Sequence, residues 1–366
     1  VGPVFQPLVD RLRVSRQKLA FVLDSTSSPV AILVPFIGWG VFIMSVIASA
    51  FESSDIVVNE WDAFVAAIPY QFYAWLAIAI VPMLTFLRFD YGPMAEAEKK
   101  AGDYALLASV ADESGNDKAR PILIWLPLVI LGVALFTILG AHGFPFEQVS
   151  GPDFRAGLSA AYLLAAVTLF ILLIRYGVKT TTESFVDYTR GMSGMMPIAA
   201  TLVLAWTLGD LSETLGTGAY VAEIARDGLP GWLVPAVIFI LSAIISFATG
   251  SSWGTIVIMM PLAIPAAVAT GADISVTIGA VLSGGLFGDH SSPISETTIL
   301  SSTGAGTTPL AHFRTQLPYA LTNGVIAFGC FVAAGLTAST SMVFAALILQ
   351  FAVLLVIRYR LRSRQA

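Results

Sequence analysis

Charged residues are scarce in this sequence. Asp, Glu, Lys and Arg make up only 12% of its 366 residues, while 56% are hydrophobic and the mean hydropathy is +0.81. A soluble domain carries about a quarter charged residues, so this composition excludes an ordinary soluble protein. It predicts an all-α polytopic membrane protein of the cell (inner) membrane, with the lipid bilayer as its partner. A homodimer is one option for its assembly.

Several other features are also lacking. The single cysteine, Cys330, excludes a disulfide framework, and the absence of basic clusters with interleaved aromatics gives no indication of nucleic-acid binding. No second His or Cys at metal-ligand spacing and no Gly-x-Ser-x-Gly motif accompanies the polar residues, so neither an enzyme nor a resident cofactor is expected. The sequence starts at Val1 without Met or a signal peptide, which suggests a piece of a longer chain.

Basic residues concentrate in alternate loops, and this pattern orients the expected spans. Arg11, Arg13, Arg16 and Lys18 precede the first span, whereas the loop after it carries only acidic charges. Loops rich in Lys and Arg remain in the cytoplasm. The predicted order begins with the end of a first repeat at 1–87, which has a polar break at 24–29, and a cytoplasmic loop at 88–120 that fits a solvated linker. Connecting spans at 121–190 and a second repeat at 191–306 follow. The C-terminal spans at 307–366 open with a cytoplasmic loop around His312 and end in a basic cytoplasmic tail.

The stretch Gly284–Thr298 is the most polar part of the sequence at membrane depth. It holds two carboxylates, an imidazole, five hydroxyls, three glycines and a proline between long apolar runs. Irregular backbone and charge at this depth survive only inside protein or beside a water-filled cavity, and they are usually functional. Gly288 and Pro293 predict a broken helix at 288–297, whose free carbonyls, hydroxyls and carboxylate suit a small hard cation. The alternative is a polar plug that only packs helices.

Two further interruptions lie in the same half of the chain. The polar segment Ala248–Thr255 separates apolar runs of about 16 residues each, which is short of the ~20 that a full span needs. This pattern predicts a re-entrant-type helical hairpin with its tip at 249–255. The Gly-rich segment Trp206–Tyr220 carries Asp210 and Glu213, which fit cap or gate residues better than ligands.

A possible internal repeat connects the two halves. Asp24–Val30 and Asp289–Ile294 each contain an acid, then hydroxyls, then a proline ahead of an apolar run, although the spacing differs by one residue. Two copies of one broken-helix unit suggest inverted repeats that meet near the membrane midplane. The competing explanation is that the two Ser-Ser-Pro tripeptides are similar by chance.

Three motifs in order resemble the NhaC-type Na⁺/H⁺ antiporter family. They are Arg11–Ala20 leading into Asp24–Ala31, then Ala248–Pro261, and most specifically Gly288–Gly304. The resemblance implies a secondary transporter of the ion-transporter superfamily, with inverted repeats that each carry a hairpin and a broken helix. Family members usually have additional N-terminal spans with an acidic Phe-Asp-Asp type motif, and we expect this sequence to lack them. The family also includes exchangers of small organic acids.

The expected function is exchange of Na⁺ for H⁺ at one site. A buried carboxylate that binds Na⁺ when ionised and a proton when neutral makes the two ligands compete, and Asp24 and Asp289 are the predicted pair. His290 is expected either to tune the pH response or to make a structural hydrogen bond, and Glu296 to be a second proton site or an acid at a helix N-terminus. The further oxygen ligands predicted for Na⁺ come from Ser27, Ser28, Thr249, Ser251, Ser252 and Ser292.

Two alternatives stay open. The first is Na⁺- or H⁺-coupled movement of an organic anion such as malate or lactate, because helix N-termini attract carboxylates. The lack of Arg or Lys within the predicted core segments counts mildly against it. The second is a passive channel, which repeated broken helices fit less well than alternating access.

Overall fold

The fold is helical. A computed structural model describes residues 2–54, 56–104, 120–144, 151–194 and 229–363, with scattered positions between 196 and 228. All regular structure in these residues is helical, which confirms the all-α prediction. The predicted Gly-rich interruption with Asp210 and Glu213 lies mostly outside the described residues. The chain divides into two compact units, residues 1–110 with 203–366, and residues 111–202.

We number the α-helices in chain order. They are α1 Gly2–Arg11, α2 Arg16–Leu33, α3 Gly38–Glu52, α4 Glu60–Ala67, α5 Phe72–Leu87, α6 Pro93–Tyr104, α7 Ile122–Ala141, α8 Gly151–Arg175, α9 Thr181–Gly194, α10 Val234–Thr249, α11 Ser252–Thr270, α12 Ile274–His290, α13 Glu296–Ala305, α14 Pro309–Thr337 and α15 Met342–Ser363. Short 3-10 turns at Ile68–Tyr70 and Gly231–Leu233 precede α5 and α10.

Many of these helices can cross a bilayer. Six helical segments in the described part of the chain are long and apolar enough: α7, most of α8, α10 with its 3-10 turn, α11, α14 and α15. The pairs α2–α3 and α4–α5 are each bent by 48°, and counting each pair as one span raises the number to eight. These lengths and hydropathies confirm a multi-pass membrane protein.

The smaller unit contains the helices α7, α8 and α9. Helices α7 and α8 pack closely, and a Cβ at Gly157 would lie 3.1 Å from Ile138 Cγ2, so a small residue allows the close approach. Helix α9 begins with a reciprocal cap, because the Glu183 carboxylate accepts hydrogen bonds from Thr180 N–H and Oγ1–H. These bonds hold the pKa of Glu183 below its usual value.

The first helix break lies further along the chain than the polar motif. We predicted a break at 24–29, but α2 runs through these residues and ends at Leu33. Val34 is extended, with φ −98° and ψ 112°, and it directly precedes Pro35. A proline disfavours the helical conformation of the residue before it, which explains why the bend falls here and the predicted position was wrong. The two motifs proposed as repeats therefore differ, since α12 ends directly after Asp289, and the inverted repeat remains a prediction.

The predicted position of the hairpin turn is confirmed, but the predicted lengths of the two helices that flank it are not. Helix α10 ends at Thr249 and α11 begins at Ser252, so the turn falls inside the predicted tip at 249–255. Each arm has 19 helical residues rather than about 16, counting the 3-10 turn before α10. The second arm is longer than predicted because α11 begins at Ser252, inside the predicted tip, and continues to Thr270.

The segment after α5 is packed rather than a solvated linker, as far as residue 104. Tyr91 and Met94 are buried. They belong to an apolar cluster with side chains of α2, α5, α14 and α15, namely Phe21, Ile80, Leu84, Leu87, Tyr319 and Leu354. The Asp90 carboxylate accepts hydrogen bonds from Lys18 Nζ at 2.6 Å and from the Tyr319 hydroxyl at 2.8 Å. The prediction of a solvated linker was therefore wrong for these residues, and 105–119 lie outside the described part.

A second expected loop is also helical. The sequence placed His312 in a cytoplasmic loop, but Thr308 caps α14 by accepting a hydrogen bond from the Ala311 N–H, and Pro309 occupies the first turn. His312 is fully buried on this helix. The capping residue and the proline signal a helix start that the sequence analysis overlooked.

Helices α10 and α12 pack against each other through two glycines. A Cβ at Gly284 would overlap the Phe239 carbonyl oxygen, and a Cβ at Gly288 would overlap that of Ala243. Small residues four apart on one helix allow two backbones to approach closely in membrane proteins. The close approach also lets the Ser246 hydroxyl donate to the Gly285 carbonyl at 2.6 Å.

We predict that Gly288→Ala destabilises the protein, because the added methyl group must push α10 away from α12. Overpacking of this kind costs about 1–3 kcal/mol. The matched control is Gly329→Ala on α14, where a Cβ meets nothing within 4 Å. Thermal unfolding of the purified protein in detergent should show a lower Tm for Gly288→Ala only. Equal Tm values for the two variants would contradict this packing.

Candidate functional site

Asp289 lies at the break between α12 and α13. Its carboxylate is buried, with 1% of the residue exposed. Oδ1 accepts a hydrogen bond from Ser295 Oγ at 2.8 Å, and Oδ2 accepts one from Thr297 Oγ1 at 2.6 Å. Both donors belong to the start of α13, so the carboxylate bridges the end of one helix and the beginning of the next. The broken helix predicted at 288–297 is thereby confirmed, with the non-helical residues at 291–295.

Ser295 is the residue that begins α13. It has an extended backbone, and its hydroxyl accepts hydrogen bonds from the N–H groups of Thr297 and Thr298. This is the geometry of a helix N-cap. The same oxygen donates to Asp289, so the cap and the carboxylate are part of one hydrogen-bonded group. Glu296 is the first residue of the helix and is exposed, which places it as an acid in the first turn.

The hairpin tip contacts this break directly. Gly250 has φ +65°, in the left-handed region, and a Cβ there would lie 2.8 Å from the Ile294 carbonyl oxygen. Only glycine avoids both the strain and the contact. The Ser292 hydroxyl donates to the Phe247 carbonyl at 2.9 Å, which joins the end of α10 to the break. At the other side of the tip, the Trp253 ring packs on Trp39 at 4.2 Å between centroids. The turn is therefore held against the broken helix.

Asp24 is a second buried carboxylate, and its environment differs from that of Asp289. It is fully buried on α2. Oδ2 lies 2.6 Å from Gln316 Nε2 and 3.2 Å from His312 Nε2, both on α14, and Oδ1 accepts a bond of 3.3 Å from Ser301 Oγ. Nitrogen atoms thus provide two of its three hydrogen-bond contacts. His312 donates when its Nε2 carries the proton.

His290 lies between the two carboxylates. Its backbone follows Asp289, its Nε2 is 4.0 Å from Asp24 Oδ1, and its Nδ1 is 3.3 Å from the Tyr73 hydroxyl. The Gln316 amide that binds Asp24 also donates to the His290 carbonyl at 3.1 Å. That carbonyl lies at the end of α12, where helix carbonyls lack intrahelical partners. Gln316 therefore joins both acidic sites.

Several buried polar atoms around these residues have no hydrogen-bond partner. Buried polar atoms are normally paired, so these could bind a polar substrate. Among the described residues around the two carboxylates, they include Ser252 Oγ, Ser291 Oγ, Thr298 Oγ1, His290 Nε2, His312 Nδ1 and Gln316 Oε1. The oxygens among them have the chemistry that Na⁺ or a similar hard cation prefers. No group of three His, Cys, Asp or Glu side chains in the described part of the chain is arranged to hold a metal ion.

Comparison with known proteins gives the family. The model of the Na⁺/H⁺ antiporter family matches residues 30–336. This chain belongs to the Na⁺/H⁺ antiporter family. Membership confirms the resemblance at the family level and makes the protein a membrane transporter of the antiporter class. The NhaC-type subgroup and the absence of N-terminal spans remain predictions.

The related proteins differ in the fraction of their length that this chain matches. An uncharacterised protein of Haemophilus influenzae is 32% identical over 94% of this chain and 69% of its own length. An uncharacterised Na⁺/H⁺ antiporter of the same organism is 28% identical over 59% of this chain and 42% of its own. The malate-2H⁺/Na⁺-lactate antiporter of Bacillus subtilis is 32% identical over 52% of this chain and 38% of its own. The matches to these two antiporters therefore cover under half of their length.

The structure gathers some of the predicted site residues of this antiporter and not others. Asp24, Asp289, His290 and Ser292 are buried and joined by the contacts above, and Ser252 is buried at the hairpin tip. Ser28 is buried on α2, one turn after Asp24, and Ser251 is half-buried as the N-cap of α11. The residues Ser27, Thr249 and Glu296 are exposed. The hydroxyls of the first two bond to carbonyls of their own helices, those of Asp24 and Ile245.

Sequence analysis missed three residues that contact Asp24 and one that contacts His290, all from other elements. Ser301, His312 and Gln316 bind Asp24, and Tyr73 binds His290. His312 and Gln316 are four residues apart, which puts them on one helix face, and this spacing was a usable signal. Nothing local marks Ser301 or Tyr73, because their roles depend on how α13 and α5 pack. Thr297 and Ser295 lay inside the recognised polar stretch but were not selected.

We predict that Ser295→Ala is more destabilising than an ordinary loss of a cap. Removal of an N-cap hydroxyl costs about 0.5–2 kcal/mol, and a lost hydrogen bond to a charged group costs about 1.5–3 kcal/mol more. Thr308→Ala is the matched control, since Thr308 caps α14 without contacting either buried carboxylate. Thermal unfolding in detergent should therefore give a larger decrease in Tm for Ser295→Ala. An equal decrease would argue against the bond to Asp289.

Proposed function

We propose that the protein exchanges Na⁺ for H⁺ across the membrane and that Asp289 binds both ions in turn. The observation that carries this proposal is the position of the Asp289 carboxylate. It is buried at a helix break, and both of its oxygens face hydroxyl groups. A buried charge at membrane depth is costly and is normally retained for transport or proton transfer.

The hydroxyl groups around Asp289 suit an exchange of ligands. A hydroxyl carries one donor and two acceptor lone pairs, so it can rotate. Ser295 and Thr297 donate to the carboxylate as the site stands, and they can turn their lone pairs toward a bound Na⁺. The unpaired hydroxyls of Ser291 and Thr298 supply further oxygens in the adjacent residues. Protonation of Asp289 removes the negative charge that holds the cation, so Na⁺ and H⁺ exclude each other.

Asp24 has a different role in this proposal. The hydrogen-bond donors around it, two of them nitrogen groups of α14, occupy the lone pairs that a cation would use. A carboxylate in this setting is a fixed negative charge that orients His290 and His312. We therefore assign the Na⁺ site to Asp289 and the positioning of the imidazoles to Asp24. This assignment narrows the sequence hypothesis, in which both carboxylates titrate together.

We predict that Asp289→Asn abolishes Na⁺-driven proton movement in proteoliposomes, since a neutral amide cannot exchange a proton for a cation. Asp24→Asn should also abolish it, because the substitution removes the negative charge that orients His290 and His312. The control is Asp187→Asn on α9, which removes a half-exposed charge that pairs with Lys179. A pH-sensitive dye inside the vesicles reports the exchange. Full exchange in Asp289→Asn would refute the proposal, and full exchange in Asp24→Asn would refute the role assigned to Asp24.

A second candidate is coupled exchange of an organic anion, favoured by the similarity to the malate-2H⁺/Na⁺-lactate antiporter over half of this chain. In this case Na⁺ and H⁺ provide the coupling and a carboxylic acid is the cargo. Uptake of radiolabelled malate or lactate by the same proteoliposomes distinguishes the two functions. Labelled acid that accumulates only with a Na⁺ or pH gradient supports the second candidate, and no accumulation supports the first.

A further inference from the structure

A cavity of about 580 Å³ opens at the predicted cytoplasmic end of the larger unit. Its lining comes from the end of α1, the α1–α2 connection, the start of α2, α6 as far as Ala101, the residues between α13 and α14, and α14 itself. A volume of roughly 300–1,000 Å³ is usual for a small-molecule site. The cavity is separate from the Asp289 site, since none of the residues at the helix break lines it.

The charges that line this cavity do not balance. Arg13, Arg16, Lys100 and Arg314 face two acidic residues, Asp10 and Glu96. Of the four cations, Arg16 is paired, with its Nη2 3.0 Å from Asp10 Oδ2. Within the described residues no carboxylate lies within 4.0 Å of the other three cationic groups. The cavity therefore has a surplus of two positive charges.

The backbone at Arg13 adds to this observation. Arg13 has φ +58°, in the left-handed region where glycine is usual. The turn is fixed by a hydrogen bond from Val14 N–H to the Val9 carbonyl, which is the pattern that ends a helix. An arginine in this position is unexpected on conformational grounds, and its side chain lines the cavity.

Helix termini also favour negative charge here. The start of α2, at Ser15–Gln17, lines the cavity, as do Pro93 and Glu96 in the first turn of α6 and Ala311 in the first turn of α14. The N-terminus of a helix carries a partial positive charge and free N–H groups, so these three ends reinforce the field of the side chains.

The cavity adjoins the machinery around Asp24. Ala311 and Thr315 on α14 line it, while His312 and Gln316, the next residues along the same helix, bind Asp24. A ligand in the cavity would therefore be separated from the Asp24 carboxylate by one layer of side chains.

Cytoplasmic basic residues also serve simply to orient spans, as the tail residues Arg360 and Arg362 illustrate. The orientation role requires no cavity and no unpaired cations around it.

We propose that this cavity binds a small organic dianion, such as a four-carbon dicarboxylate. Two carboxylates match the surplus charge, and Arg314 and Arg13 can each bind one of them through paired N–H donors. The site bears on the second candidate function above, but its test measures binding alone. Failure to bind and failure to exchange Na⁺ for H⁺ are therefore distinguishable.

The test is isothermal titration calorimetry of the purified chain with L-malate, in a neutral detergent without anionic lipid. Wild-type protein should bind malate, and Arg314→Gln should weaken the affinity at least tenfold. Arg314→Lys should restore part of it, because the charge returns without the planar donors. Arg362→Gln removes the same charge from the exposed tail, outside the cavity, and should leave the affinity unchanged.

Three results would overturn the proposal. They are no heat of binding with wild-type protein, equal losses in Arg314→Gln and Arg362→Gln, and binding of phosphatidylglycerol vesicles but not of malate. The last result would identify the cavity as a lipid-headgroup contact. Lys100→Gln provides a second variant if Arg314→Gln does not fold, and it should also weaken the binding of malate. Binding in Lys100→Gln equal to wild type would count against the site.

Discussion

The hydrogen bonds that join Asp289 to Ser295 and Thr297 are the interaction on which this structure depends. They place a carboxylate inside the protein at the point where one helix ends and another begins. A charge in that position is expensive unless polar groups surround it. The cap of α13 meets this requirement, since Ser295 both begins the helix and binds the acid. The helix break therefore provides the polar groups that stabilise the buried carboxylate, and the carboxylate in turn joins the two helices at the break.

The rest of the larger unit supports this arrangement. Gly284 and Gly288 bring α10 close to α12, which places the hairpin turn against the break, where Gly250 contacts Ile294. Gln316 then ties the carbonyl at the end of α12 to the second acid on α2. Each contact joins a different helix to the same few residues. Movement of one helix in a transport cycle would consequently be transmitted to the carboxylates.

The sequence was sufficient to predict local features such as helix breaks and turns, but not the contacts between distant helices. The turn within 249–255 and the helix break within 288–297 were predicted from the sequence, because polarity and glycine at membrane depth need an explanation. The break in the first half was predicted at the wrong position. The prediction relied on the polar motif at Asp24, whereas the helix bends at the Val34–Pro35 step. His312 was assigned to a loop because one basic neighbour outweighed the capping residue before it. Its contact with Asp24 crosses nearly three hundred residues of sequence, and no spacing rule predicts such a pair.

The central claim is that the cation rests at Asp289 among hydroxyls of the broken helix. Equilibrium binding of ²²Na⁺ to purified Thr297→Val tests it most directly, with Thr249→Val as the control. Thr297 donates to Asp289, whereas the Thr249 hydroxyl bonds to its own helix at Ile245. The account predicts Na⁺ affinity at least tenfold weaker in Thr297→Val and unchanged in Thr249→Val. Wild-type affinity in Thr297→Val, or an equal loss in both variants, would contradict it.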